Sequence, residues 1–335
     1  MIRQGATRSS MTSFLKKQWF LVGLATVLLI GFIVWNPLSP LAEVAWLRSC
    51  VVAGVLFLMA LPLETKSIWQ TLSRPGAALL ASAINMGLVP LLGWVAAQFA
   101  TNGLAEGIIV ACVAPCTMAS AAVWVRRAGG NDSVAIMVTI LTNLTCFVLT
   151  PLWLASLLGQ SVNMELWPMI RKLGLLVVLP MVLGQLFRSA AVVREIATVR
   201  KKQLSTTCQV GILYMVLVGA IECGRTLGNA NSAIEVSTLD FAGMTLLVTL
   251  VHLIALALGI VLAKSFHMKP ENQIAVGVAG SQKTLMIGLH IALNYFGGLA
   301  ILPMVTYHVS QLLLDTFIVD AWRKRHRLSS STYGN

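Results

Sequence analysis

Ten apolar runs, each about 20 residues long, follow one another through this chain, and a helix of that length spans the core of a bilayer. They cover residues 18–37, 44–63, 76–98, 105–125, 132–158, 168–188, 204–223, 240–264, 271–293 and 296–320. Membrane-crossing strands need only about 10 residues and alternate apolar with polar positions, so a β-barrel does not fit. Of 335 residues, 11% are charged, whereas a soluble protein carries about 25%. The chain is therefore expected to be an all-α integral membrane protein, one membrane domain over residues 1–335.

The first run follows Lys16 and Lys17, as a signal peptide would, but it reaches Trp35 without a small-residue cleavage site. It is kept as a helix. No extended transit sequence precedes it, which points to a cell (inner or plasma) membrane.

The net charge of +12 invites a nucleic-acid reading. The basic residues sit in short segments between runs, however, and build no basic face on a soluble module, so no nucleic-acid partner is expected. With the N-terminus inside, nineteen of the 24 Lys and Arg fall on the cytoplasmic side. Arg48, Arg171, Lys172 and Arg225 fall outside, and Lys283 lies within a run. That asymmetry obeys the positive-inside rule and places both termini in the cytoplasm. Ten runs divide into five plus five, and an odd number per half inverts the second half relative to the first. The longest basic segment, between the sixth and seventh runs, reads as the loop joining them. The repeat follows from topology; the halves share no convincing residue pattern. The six cysteines form no paired CxxC spacing, so they read as small apolar fillers and not as metal ligands.

Two runs in matching positions of the halves are interrupted midway. The fourth contains Ala114-Pro115-Cys116-Thr117-Met118-Ala119-Ser120, and the ninth contains Gly280-Ser281-Gln282-Lys283-Thr284. Paired interruptions of this kind mark the substrate site of secondary transporters. Pro115 removes a backbone donor and drives Ala114 out of helical geometry. Freed carbonyls at such a depth must meet protein groups or a water-filled cavity. A proline kink with Ser and Thr also occurs in purely structural helices. Lys283 is harder to dismiss: a mid-span lysine costs roughly 2.5–3.5 kcal/mol on insertion scales. It reads either as a lock on the carbonyls of a broken helix or as a fixed cation facing a hydrated pocket. Asn85, Thr139, Asn143 and His290 are further polar candidates, with interhelical hydrogen bonding as the alternative for each. Glu222, His308 and Asp315 are weaker candidates for a proton relay.

The stretch from Asn85 to Pro90, the Ala114–Ser120 segment, Gly129-Gly130-Asn131 and Thr150-Pro151 together resemble the bile acid:sodium symporter superfamily. Gly280-Ser281-Gln282-Lys283-Thr284-Leu285 resembles its SBF-like branch. The resemblance implies ten helices, with the fourth and ninth broken and crossing. It also implies a four-helix panel (runs 1, 2, 6 and 7) against a six-helix core (runs 3–5 and 8–10), with substrate between them. Carried over by position, Asn85, Ser120, Thr139 and Gln282 stand where sodium-coupled members place cation-binding oxygens. The acidic ligand of the ninth helix has no counterpart, since Val278 or Ala279 stands there, and Ala121 replaces an asparagine. An ammonium 4 Å from a bound cation disfavours it by about 4 kcal/mol at an effective dielectric near 20. Coupling is thus expected to be sodium-independent or proton-linked.

The expected function is alternating-access transport of a small organic anion, with Thr117, Ser281, Thr284 and His290 beside the four oxygen positions and Lys283 as the anion's partner. Sodium-coupled symport of a bile-acid-like or carboxylate anion is the alternative within the class. Outside it stands a membrane receptor or assembly subunit that binds without moving its ligand. No HExxH, paired-aspartate or Ser–His pattern supports an enzyme, and no cofactor is expected.

Overall fold

The computed structural model describes residues 19–63, 75–101, 103–118, 120–159, 165–228 and 236–332. Of the charges counted above, Arg3, Arg8, Lys16, Lys17, Lys66 and Arg74 lie outside the described residues, as does Ala119 of the first interruption. Among the described residues the chain is helical and contains no strand. The helices are α1 (Trp19–Ile33), α2 (Trp35–Glu43), α3 (Ala45–Ala60), α4 (Gly76–Ala97), α5 (Leu104–Val113), α6 (Ser120–Arg127) and α7 (Asp132–Leu158). They continue with α8 (Leu166–Ser189), α9 (Ala191–Val199), α10 (Lys201–Gly228), α11 (Thr238–Ser265), α12 (Pro270–Ser281), α13 (Leu285–Ile291) and α14 (Ile301–Thr332).

Among the described residues, seven helical stretches are long and apolar enough to cross a membrane, or eight if α1 and α2 count as one bent span. The helices α3 and α5 are apolar but shorter. The first run differs from expectation: it stops at Ile33 and turns through 105° into α2. Pro37 explains the stop, because its ring displaces the carbonyl four residues back and it has no N–H to offer Ile33. The basic segment read as a loop after the sixth run contains the nine-residue helix α9.

Packing sorts the helices. α10 lies against α1, α2 and α3, and α8 against α3. Elsewhere α4, α5, α7, α11, α12 and α14 pack on one another. The broken stretch Pro270–Phe296 is the innermost, with 94% of its most apolar window buried, against 28% for α8. On α8 the side chains of Leu175, Leu179, Leu183, Leu186 and Phe187 are exposed, an apolar surface suited to lipid. Two ties gather one end of the inner group. Arg127 at the end of α6 holds Asp320 of α14 at 2.6 Å. The N–H of Asn131 donates to Glu271 O at 3.0 Å, and its side-chain amide to Asn272 Oδ1 at 3.0 Å.

Close helix contacts rest on glycine. A Cβ on Gly259 of α11 would lie 2.9 Å from Gly277 Cα of α12, and one on Gly107 of α5 would lie 2.6 Å from Ala300 O. Small residues let helices approach where no water drives them together. Gly54 of α3 has nothing within 4 Å of such an atom. Gly107→Val should therefore lower the melting temperature of the purified protein, whereas Gly54→Ala should hold or raise it through helix propensity of up to about 1 kcal/mol. Equal tolerance of both would contradict this packing.

Candidate functional site

Both interruptions are real breaks in the helices, and they touch. Ala114 is extended at ψ 149° ahead of Pro115, and α6 begins at Ser120. Gln282 (ψ 140°) and Thr284 (ψ 133°) are likewise extended between α12 and α13. The N–H of Thr284 donates to Pro115 O at 2.8 Å, joining one break to the other.

The carbonyls from Val113 to Thr117 and from Ala279 to Lys283 have each found a donor. Thr150 Oγ1 donates to Val113 O at 2.8 Å, Asn143 Nδ2 to Cys116 O at 2.8 Å, and Thr139 Oγ1 to Thr117 O at 3.0 Å. At the end of α12 the single amide of Asn85 donates to Ala279 O, Gly280 O and Gln282 O at 3.2, 3.2 and 2.8 Å. Tyr307 Oη donates to Ser281 O at 2.9 Å, and Gln311 Nε2 to Lys283 O at 2.8 Å. Asn85 sits in a π-turn of α4, Ile84–Leu88. Pro90 follows and leaves Met86 O without its amide; the Trp153 indole supplies a donor there at 2.6 Å.

Lys283 completes this set. Its side chain is fully buried, and Nζ donates to Asn85 O at 2.5 Å, Ala114 O at 2.8 Å and Asn85 Oδ1 at 3.3 Å. Three N–H groups meet three oxygens. Ala114 O stands at the C-terminal, negative end of α5, where a cation is favoured. The reading of Lys283 as a cation presented to an anion in a pocket is corrected here: the ammonium is enclosed by protein oxygens.

A cavity of about 520 Å³ lies on one side of the first break. Thr117, Met118 and Ser120 line it, facing Phe20, Leu58, Met59 and Leu63, with His308 and Leu312 of α14 alongside. Arg126 and Lys201 border it, as does Asp132, which pairs with Arg126. Lys283 does not line it. The crossing brings together Asn85, Thr117, Ser120, Thr139, Asn143, Ser281, Gln282, Lys283 and Thr284, but His290 stands apart. That histidine is buried and meets Asn294 at 3.3 Å, with no bond to the lysine.

A second correction concerns charge. The crossing has not lost its acid: Asp315 of α14 is fully buried, accepts from Gln282 Nε2 and lies 3.1 Å from His252 Nε2. Sequence reasoning ranks Asp315 only as a weak relay candidate and misses His252, Tyr307 and Gln311. The signal lies in the spacing of His308, Gln311 and Asp315, which places all three on one face of α14.

Residues 18–324 match a known family profile. The chain belongs to the SBF-like CPA transporter family. Similar proteins include sodium/bile acid cotransporter 7-B of Xenopus laevis, 23% identical over 323 residues, covering 91% of each chain. The probable chloroplastic sodium/metabolite cotransporter BASS4 of Arabidopsis thaliana is 24% identical over 325 residues, or 92% of this chain and 73% of the relative. The uncharacterized protein PA2026 of Pseudomonas aeruginosa is 26% identical over 325 residues, covering 93% and 94%. Membership makes the chain a multi-pass membrane transporter of the bile acid:sodium symporter and SBF-like group.

Of the oxygens that the resemblance places around sodium, Asn85 Oδ1 faces the Lys283 ammonium at 3.3 Å, Thr139 Oγ1 donates to Thr117 O, and Gln282 Oε1 accepts from Ser120 Oγ at 3.0 Å. The ammonium beside Asn85 Oδ1 is the feature that does not fit a bound cation. Lys283→Met removes the ammonium while keeping most of the side-chain volume. It leaves Asn85 O and Ala114 O unmet at about 1–3 kcal/mol each, so the melting temperature should fall clearly. An unchanged melting temperature would show that the lysine is no lock.

Proposed function

We infer that this chain is an alternating-access carrier of a small amphipathic organic anion that needs no sodium. The observation that carries this reading is the cavity. It lies between the α1, α3 and α10 group and the inner group, it meets the first break at Thr117 and Ser120, and two basic side chains border it. Its volume is that of an ordinary small-molecule pocket, about 300–1,000 Å³. An apolar wall with Arg126 and Lys201 beside it suits a solute with a greasy body and an anionic end. The names of the relatives, bile acid and metabolite cotransporters, agree with a small organic solute.

In this reading the ten runs form two inverted sets of five. Runs 1, 2, 6 and 7 make a panel, and the remaining six make a core that rocks against it. The charge asymmetry puts Arg126 and Lys201 on the cytoplasmic side, so the cavity opens inward, in a cell membrane with both termini inside. What supports sodium independence is the Lys283 side chain, whose Nζ already meets Asn85 O, Asn85 Oδ1 and Ala114 O at the crossing.

The test begins with a melting-temperature screen of purified protein against bile acids and shorter carboxylates, because a true ligand stabilises by mass action. Labelled stabilising ligand is then followed by counterflow in proteoliposomes, with sodium or with choline. Equal rates in the two salts are expected, and Lys201→Gln should weaken apparent affinity several-fold with maximal rate retained. Counterflow that stops in choline would overturn the sodium-free reading. Binding without counterflow would instead make the chain a receptor or assembly subunit.

A further inference from the structure

We propose that His252 and Asp315 form a proton-binding site, joined through Gln282 to Ser120 in the cavity wall. The site rests on contacts between α11, α14 and the second break. His252 Nε2 lies 3.1 Å from Asp315 Oδ1, and both side chains are 0% exposed. The other ring nitrogen, Nδ1, lies 3.4 Å from Ser281 O. The imidazole therefore stands between two acceptors.

That arrangement fixes the proton count. A neutral imidazole carries one N–H and one lone pair. Beside a carboxylate and a carbonyl, one of its two faces would then set lone pair against lone pair. The geometry is satisfied when the pair holds one further proton, as imidazolium with carboxylate or as imidazole with carboxylic acid. Both forms have zero net charge, which suits a buried site better than an uncompensated anion. Releasing that proton to water leaves one negative charge on the pair, and taking it from hydronium restores neutrality. The proton-loaded form is the one whose hydrogen bonds this geometry completes.

Gln282 links the site to the cavity. Its Nε2 donates to Asp315 Oδ2, and its Oε1 accepts from Ser120 Oγ at 3.0 Å. Ser120 Oγ also lies 3.0 Å from Thr117 Oγ1, and both hydroxyl residues line the cavity. A ligand that recruits the Ser120 hydroxyl loosens Gln282 and, with it, the donor that Asp315 shares with His252. This coupling rests on the carrier reading; the proton site itself does not.

The groups around Asp315 are few. α11 contributes His252, the second break Gln282 and Lys283, and the first break Cys116, while α14 itself carries Tyr307 and His308. Lys283 is joined to α14 through Gln311, which accepts from its backbone N–H at 2.8 Å. At the α6 end Arg127 is occupied by Asp320. Glu222 and Arg225 of α10 pair with each other at 2.7 Å, at the other end of α14 beside Gly298. The fixed charge of Lys283 is thus the one able to offset the anion left by proton release.

The experiment is an equilibrium pH titration of the purified full-length protein, followed by infrared absorption of protonated carboxyl groups with proton counting by pH indicator. It needs no substrate, so failure of the anion-carrier reading leaves it intact. The parent should show a buried titrating step that is missing from Asp315→Asn, with one fewer proton released. His252→Gln keeps a donor toward Asp315 and should move that step by about tenfold or more in proton concentration, since the two groups titrate as a pair. Should Asp315→Asn fail to fold, the His252→Gln shift alone decides. A titration unchanged in either variant would overturn the site, and so would a step that tracks sodium concentration at fixed pH.

Discussion

A carbonyl oxygen inside hydrocarbon has no water to meet, and leaving one without a donor costs several kcal/mol. Two helices interrupted at the same depth release a whole set of them. The centre of this protein is the arrangement that answers that demand. From Val113 to Thr117, and again from Ala279 to Lys283, each oxygen receives a donor from a side chain or from the partner break. The donors come from α4, α7 and α14 as well as from the breaks, so one local interruption dictates polar positions on helices distant in the chain. Breaking and bracing are inseparable here.

Lysine suits the central place because it offers three N–H groups from one flexible stem and accepts nothing. Its amine is tethered to the chain, and it meets Asn85 and Ala114 from within the second break. The charge on the other side of the crossing is carried by Asp315, set against a histidine. Two buried ionisable groups, Lys283 and Asp315, each hydrogen-bonded by its surroundings, give the crossing its polar frame. The cavity stands outside that frame and touches it through Ser120.

Much of this architecture is legible in the amino-acid sequence alone. Apolar runs of spanning length announce the helices, with the fifth run matching α7 at both ends. Pro115 announces the extended Ala114, because a residue before proline is biased away from helical geometry, although Val89 before Pro90 and Leu179 before Pro180 stay helical. The polar cluster about Gln282 and Lys283 announces a second break. Other features are hidden for physical reasons. The turn of α1 into α2 depends on Pro37, whose effect falls four residues upstream in a run that still looks continuous. Which carbonyl a lysine chooses is a matter of three-dimensional reach, so its enclosure cannot be read from depth alone. Asp315 and His252 lie in different helices, and nothing along the chain says that they meet.

The ties at one end of the inner group carry a mechanical consequence. Arg127 grips Asp320, and Asn131 is fastened to the start of α12 by its backbone and side chain together. These clasps join the exit of the first interrupted helix and the entry of the second to their neighbours, so shear within the crossing would have to break them. A rocking carrier built this way would move its six inner helices as one rigid block. All of the give must then reside in the chain segments that lead from that block to the surrounding helices.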